Sequence, residues 1–384
     1  MSCVLYVNPT SIHGGAEEVL LHHMTVAQEL GYQPVLVVPA SGWLTDRCRT
    51  EGIPCELLPS LPDAVTSDHW SYQLRPWPLN AIAIAQFVRK WSAVLVHSNT
   101  PRTAYHGGLG ARLSGVKAVT HVHDIVQLPY AVRPKAWLLF QLTDWTLVVS
   151  QAVERAVINY APKFRSCIQT LYNGWDLSLY HHVLAADIRT LFQVPHTSVI
   201  IGTVAAMTPW KGQDVLIEAF RLLRMQVPYV HLIIVGGSQG GKRQSAYEAQ
   251  LHQQVIDAGL GDAVTFTGWR EDVWAWMKSF DIFVHVPIAP DPLPTALLHA
   301  CALGSTIVAS AIGGIPEIVL DGKSGLLISP NDAHALCTAL TRLVANPEYR
   351  AELGRQATDH FSRRFSRQQM KEGIAFVYQQ CLSR

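Results

Sequence analysis

Short apolar runs rich in Val, Ile and Leu alternate along this chain with longer segments whose apolar positions recur every three or four residues. In the first half the runs Val4–Val7, Pro34–Val38, Ala93–His97, Ala118–Val122, Thr146–Val149 and Ile168–Leu171 read as strands. Helical period fills the intervals at Ala16–Leu30, Leu79–Trp91, Thr103–Leu113 and Gln151–Tyr160. Continuous apolar strands separated by helices predict a parallel sheet covered on both faces. Such a sheet takes ligands beyond the carboxyl ends of its strands.

The alternation then restarts. Val199–Val204, His231–Val235, Val264–Phe266, Ile282–Val286, Thr306–Ala309 and Gly325–Ile328 read as a second set of strands. Helices are expected at Gln213–Gln226, Tyr247–Ala258, Thr295–Ala302 and Ala333–Val344. Between the halves, Asn173–His196 carries turn residues and two adjacent His, and suits a linker. The pattern therefore predicts an α/β chain of two doubly wound, Rossmann-like parallel-sheet domains facing across a cleft. The first spans 1–190 and the second 191–365, and a helical tail at 366–384 packs back on the first. Leu61–Pro78 reads as a long surface loop and Ser238–Ser245 as a polar Gly-rich one. This architecture fits a transferase, an epimerase, a phosphorylase or a binding protein, so fold does not settle function.

Composition narrows the classes. At 384 residues the length favours two domains, and 49% hydrophobic content supplies two buried sheets. The 30 Lys and Arg nearly cancel the 29 Asp and Glu, which argues against a nucleic-acid partner. The seven Cys are scattered without metal-ligand spacing and read as reduced thiols. MSCVLYVNPT enters a strand without a signal-peptide pattern, and no apolar run approaches a bilayer span. A cytoplasmic protein is expected, one that could also sit peripherally at the inner face of the membrane.

Four segments carry candidate chemistry. His13-Gly14-Gly15-Ala16-Glu17 follows the first strand and opens the first helix. Glycines there let backbone N–H groups approach an anion at a helix start, although a tight turn alone would also need them. Lys211-Gly212 follows a strand of the second half. An isolated Lys is commonly a solvated surface residue, but at a strand's carboxyl end it can neutralise a departing diphosphate. Pro290-Asp291-Pro-Leu293-Pro294-Thr295 begins a helix that carries His299. Its amides direct partial positive charge outward; Asp291 as a simple cap and His299 as a packed core residue are the plainer alternatives. Finally, Thr120-His121-Val122-His123-Asp124 puts both His on one side of a strand end. With no third ligand evident nearby, a metal is not expected, and hydrogen bonding to a bound sugar or helping to move a proton fits better.

Taken in order, these segments resemble the retaining glycosyltransferase family 4 (glycosyl transferases group 1), whose members have the GT-B fold. The resemblance is strongest over Val199–Phe365. It rests there on GTVAAMTPWKGQDVLIEAF, FTGWREDVWAWMKSFDIFV, DPLPTALLHACALGSTIVASAIGGIPEIVLDGKSGLLISP and FSRRFSRQQM. In the first half it rests on HGGAEEVL, VHSNT, HVHD, VVSQAVERAV and LYNGWD.

The resemblance implies a donor in the form of a nucleotide-diphosphate sugar, transfer with retention, and no obligatory metal or other cofactor. It implies catalytic roles for His123, Lys211 and Asp291. Donor contacts would come from Gly14, Gly15, Gly212, Trp269, Arg270, Leu293, Pro294, Thr295 and His299, and acceptor contacts from Glu17 and Asp124. The acceptor class would be a glycan, a lipid-linked saccharide or a small molecule, and polysaccharide biosynthesis the setting. Arg102, Arg112, Lys117, Arg133 and Lys135 could form a basic face, and Trp70, Tyr72, Trp77 and Tyr130 an acceptor path. Three departures stand out: Ala206 where an Arg is common, Asp291 for the first Glu of a Glu–seven residues–Glu motif, and His299 for the second. Neutral imidazole has one acceptor nitrogen where a carboxylate serves both ribose hydroxyls. The loss amounts to roughly 1.5–3 kcal/mol, or about one to two decades of donor affinity. The alternatives left open are a catalytically silent relative acting as a binding or scaffold subunit, and a nucleotide-sugar epimerase.

Overall fold

The computed structural model describes residues 1–62, 77–125, 133–238 and 242–383. Trp70, Tyr72 and Tyr130 lie outside these residues, as do the side chains of Arg133 and Lys135 and the middle of the Gly-rich loop. The chain divides into two compact units, Met1–Trp175 with Arg367–Arg384, and Asp176–Ser366.

In the first unit the strands are β1 (Ser2–Val7), β2 (Tyr32–Val38), β3 (Cys55–Leu57), β4 (Ala93–Ser98), β5 (Lys117–Val122), β6 (Trp145–Val148) and β7 (Ile168–Thr170). They pair in parallel in the order β3-β2-β1-β4-β5-β6-β7. Successive residues of one strand feed opposite cores: Val4 and Tyr6 join one apolar cluster, whereas Cys3, Leu5 and Val7 join another. Both faces are thus buried, which is why the strands read as unbroken apolar runs. Strand order reverses between β1 and β4, the topological switch point at which such sheets bind ligands.

The second unit repeats the plan with β8 (Val199–Val204), β9 (Val230–Val235), β10 (Val264–Gly268), β11 (Ile282–His285), β12 (Ile307–Ser310) and β13 (Leu326–Ile328). The order β10-β9-β8-β11-β12-β13 is again parallel throughout, with its reversal between β8 and β11.

The division falls at Trp175/Asp176, earlier than the 190/191 boundary expected from sequence. The segment taken for a linker folds into two short helices, Ser178–His181 and Ile188–Leu191. Second-unit groups hold it: Ala186 N donates to Ala275 O at 2.9 Å, and Ser279 Oγ donates to Ala186 O at 2.7 Å. The last helix, Arg367–Leu382, counts with the first unit. There Tyr378 bonds Tyr6 hydroxyl to hydroxyl at 2.7 Å, and Arg367 reaches Glu29 at 2.7 Å. Among the described residues no helix is long and apolar enough to cross a membrane.

Candidate active site

In the second unit the loop after β8 carries a short turn, Pro209–Lys211, closed by Gly212. Gly212 has φ +70°, and a Cβ there would overlap the Val286 carbonyl oxygen just beyond β11. Glycine therefore lets this loop lie directly on the switch point. Lys211 is thereby delivered to Asp291: Nζ donates to Oδ2 at 2.7 Å, and the ammonium also lies 3.9 Å from the Trp210 ring centre. His285, the last residue of β11, donates from Nε2 to the same carboxylate oxygen at 3.2 Å.

Asp291 is 4% exposed. Burial alone would raise its pKa, but the His285 hydrogen bond and the Lys211 charge together hold it at about 2. Burial conversely lowers His285, so a neutral imidazole serves as the N–H donor. From above, Gly313 (φ +63°) brings the following loop onto the Asp291 backbone, and Gly314 N donates to Asp291 O at 2.8 Å. The carboxylate is thus held by Lys211 and His285, and the backbone behind it by Gly314.

Beyond Asp291, the helix Thr295–Ala302 starts after Pro294, and no side chain caps it. The orphan amides of a first helical turn attract anions. Leu293 and Pro294 are buried at this start, and Thr295 is half-buried. His299, one turn inside, is 5% exposed with Nδ1 hydrogen-bonded to the Tyr180 hydroxyl at 2.7 Å. One of its two ring nitrogens is thus committed to the protein. Trp269 is 53% exposed. Arg270 is engaged by Asp272 at 3.1 Å and lies over the Trp276 ring at 4.7 Å. At the departure position Ala206, the carbonyl accepts from Gln213 Nε2 at 2.9 Å.

The first unit builds its polar site from residues that immediately follow strands. Asn8 follows β1, Asn99 follows β4 and His123 follows β5. His123 Nε2 donates to Asn99 Oδ1 at 2.9 Å, Asn99 Nδ2 to Asn8 Oδ1 at 2.9 Å, and Asn8 Nδ2 to Glu17 Oε1 at 3.2 Å. Burial pushes the His123 imidazole down to about 4, and it raises the Glu17 carboxyl. Gly14 is extended at φ −159°, so its use here is spatial: a Cβ would stand 2.7 Å from Glu17 Oε2. Gly15 is exposed at the first helical position, with the acidic Glu17 and Glu18 in the same turn. Asp124 is exposed, and its charge is felt at Glu17.

Within each unit the structure therefore joins predicted residues into a set, Lys211 with Asp291 in one and His123 with Glu17 in the other. Sequence reasoning missed the residues that do the joining: His285, Tyr180, Asn8 and Asn99. Each is remote in sequence from its partner or hidden in a strand-end position. For Asn8 and Asn99 the position itself, directly after an apolar strand, was the available signal.

A lysine–carboxylate–histidine cluster thus lies beside an uncapped helix start at the switch point of a doubly wound sheet, the place where such sheets take ligands. Comparison with known proteins gives the family. Residues 187–360 match the family described as glycosyl transferases group 1, and residues 13–179 match that described as Glycosyltransferase Family 4. The chain belongs to these glycosyltransferases, with the GT-B fold.

It is 33% identical over 181 residues to the D-inositol 3-phosphate glycosyltransferase of Stackebrandtia nassauensis, covering 46% of this chain and 40% of that one. The chain thus spans less than half the length of that relative. With the lipopolysaccharide core biosynthesis glycosyltransferase LpsE of Rhizobium meliloti it shares 23% identity over 96% of both chains. The crystal structure of Anabaena HepE in complex with UDP-glucose superposes with TM-score 0.83 at 24% identity, covering 99% of this chain and 100% of that one.

Proposed function

We propose that this chain transfers a sugar from a nucleotide-diphosphate sugar to a glycan, lipid-linked or small-molecule acceptor, with retention of configuration. The observation that carries the reading is the Lys211–Asp291–His285 cluster next to the helix start at Thr295. Lys211 and the first-turn amides stabilise the negative charge that grows on the leaving diphosphate. No obligatory metal is needed for this step, because cation and amides do that work. Asp291, held ionised, accepts from sugar hydroxyls, and Leu293–Thr295 line the phosphates. His299 faces the ribose, Trp269 and Arg270 the base, and Gly14, Gly15 and Gly212 allow close backbone approach. His123 contacts the transferred sugar, and Glu17 and Asp124 serve the acceptor. Retention without a carboxylate nucleophile of the glycosidase kind follows if the departing phosphate itself deprotonates the acceptor hydroxyl on the same face.

The UDP-glucose bound in HepE makes that donor the first to try. Purified protein is titrated calorimetrically with UDP-, GDP-, ADP- and dTDP-sugars beside the free diphosphates, and turnover of any donor bound is followed by nucleotide release. Binding of one donor, with turnover lost in Lys211→Ala, is expected. Folded protein that binds no donor in the panel would instead support a catalytically silent binding subunit, which the imidazole at His299 and the alanine at 206 favour. An isomerised donor without transfer would point to the epimerase.

A further inference from the structure

One face of the first sheet carries a polar group that the transfer reaction does not use. Tyr6 on β1 and His97 on β4 are register partners, and His121 lies on the neighbouring β5. The helix Gly15–Glu29 sets His23 above them, and the C-terminal helix adds Tyr378. His23, His97 and His121 are each 1% exposed or less, on the face of the sheet that carries an apolar cluster including Tyr6, Met24, Leu95, Val119 and Tyr378. Among the described residues, Nε2 of His23, Nε2 of His97 and both ring nitrogens of His121 are buried without a hydrogen-bond partner.

Unpaired buried imidazole nitrogens are costly, and folded proteins rarely keep several in one place. The three rings also converge: one nitrogen from each lies within 4.8 Å of the others. The opposite edges of two rings are held from outside. His97 Nδ1 meets the Tyr378 hydroxyl at 2.9 Å, and His23 Nδ1 meets the Tyr6 hydroxyl at 3.4 Å. An imidazole whose Nδ1–H is taken by an oxygen presents its Nε2 lone pair inward, which is how outer hydrogen bonds orient a metal ligand.

We propose that His23, His97 and His121 form a three-histidine site for a divalent transition metal of the zinc type, built into the interior of the first unit. Imidazole ligands select zinc and its neighbours over magnesium or calcium, which take oxygen. Zn–N bonds of about 2.0–2.1 Å separate tetrahedral ligand atoms by about 3.3 Å, so on loading the rings would close in by up to about 1.5 Å. A water takes the fourth position. The ion ties the first helix to β4 and β5, and its role is to hold the fold, apart from the transfer chemistry proposed above.

The test uses the full-length chain, stripped with a chelator and reloaded with Zn²⁺ or with Co²⁺. Bound metal is counted by elemental mass spectrometry, and cobalt geometry is read from visible absorption. One metal per chain, a tetrahedral cobalt spectrum and a higher melting temperature on loading are expected. His121→Phe and His121→Gln should lose stoichiometric binding. In the metal-free form, His121→Phe should be at least as stable as the parent, since it removes two orphan nitrogens. Tyr378→Phe should retain the metal with affinity weakened by about 10–100-fold, and it decides the matter even where a histidine variant fails to fold. The exposed His334→Gln should bind as the parent does. Folded parent protein that retains no metal after loading overturns the assignment, and so does a cobalt spectrum unchanged in both His121 variants.

Discussion

Replacing Lys211 with Met isolates the charge at the proposed diphosphate site while keeping most of the side-chain volume. The pair it breaks is largely buried, with side-chain exposures of 16% for Lys211 and 6% for Asp291. Asp291 sits at about 2 against an ordinary 3.8, and that depression is what survives after burial has pushed the other way. At about 1.36 kcal/mol per pKa unit, that depression corresponds to about 2–3 kcal/mol of stability at neutral pH. Deleting one partner of a buried pair typically costs about 3–5 kcal/mol. Here Asp291 keeps its His285 bond and can take up a proton, so Lys211→Met should cost about 2–3 kcal/mol. Two units preclude a single two-state transition. The local cost is therefore read by hydrogen exchange in peptides covering Ile282–Asp291, for Lys211→Met, Asp291→Asn and the double variant. The double variant should lose much less than the sum, giving a coupling of about 1–3 kcal/mol. A coupling below about 0.5 kcal/mol would show that the two groups do not depend on each other, and the reasoning fails.

Other expectations follow from the same geometry. Because the folded pKa of Asp291 is depressed, its contribution should be complete above pH of about 4 and lost as pH falls toward 2. Thermal melts across that window should show the loss in the parent and not in Asp291→Asn. Gly313→Ala forces a left-handed φ on alanine and drives a methyl into the Asp291 carbonyl oxygen. It should lower stability by at least about 1–2 kcal/mol and weaken donor binding, and a variant that melts and binds normally would show the contact is not made. His299→Glu restores an acceptor for both ribose hydroxyls and should tighten nucleotide diphosphate binding by about tenfold or more in calorimetry; weaker binding would refute the ribose role. Asn99→Ala removes the acceptor that holds His123 and should slow transfer by about two- to tenfold with little change in donor affinity, read as kcat against KM.

Much of the fold could be read along the chain because both sheets are buried on both faces, so strands such as Val199–Val204 stand out as apolar runs. The elements that escaped have weaker apolar signals. Cys55–Leu57 is a three-residue edge strand with Glu56 at its centre. Pro347–Arg364 buries only Leu353, Gly354, Ala357 and Phe361, so its stripe is narrow and its surface polar. The helices at Ser178–His181 and Ile188–Leu191 are too short to show a period of their own, and the Ala186 backbone between them is held by Ala275 and Ser279. At the site, Lys211 and Asp291 were visible because loops after strands carry function. His285 was not, because one buried histidine at a strand end looks like core. His23 and His97 escaped for the same reason, since only the packing of a helix on two adjacent strands brings them to His121.

The two units put their polar residues at equivalent places, just past the strands where the order of each sheet reverses, yet the chemistry differs in kind. The second unit places a full ion pair there, Lys211 with Asp291, beside a helix start that lacks a side-chain cap. Those are the groups a diphosphate needs: a cation to answer its charge and amides to receive its oxygens. The first unit places amides and an imidazole, Asn8, Asn99 and His123, in one hydrogen-bonded row that ends on Glu17. Among the described residues no cation joins that row, and acidic residues occupy the adjoining helix turn, which fits its proposed use for hydroxyl groups rather than phosphate. The same strand order thus carries an ion pair and an uncapped helix start in one unit, and neutral amides with an imidazole in the other.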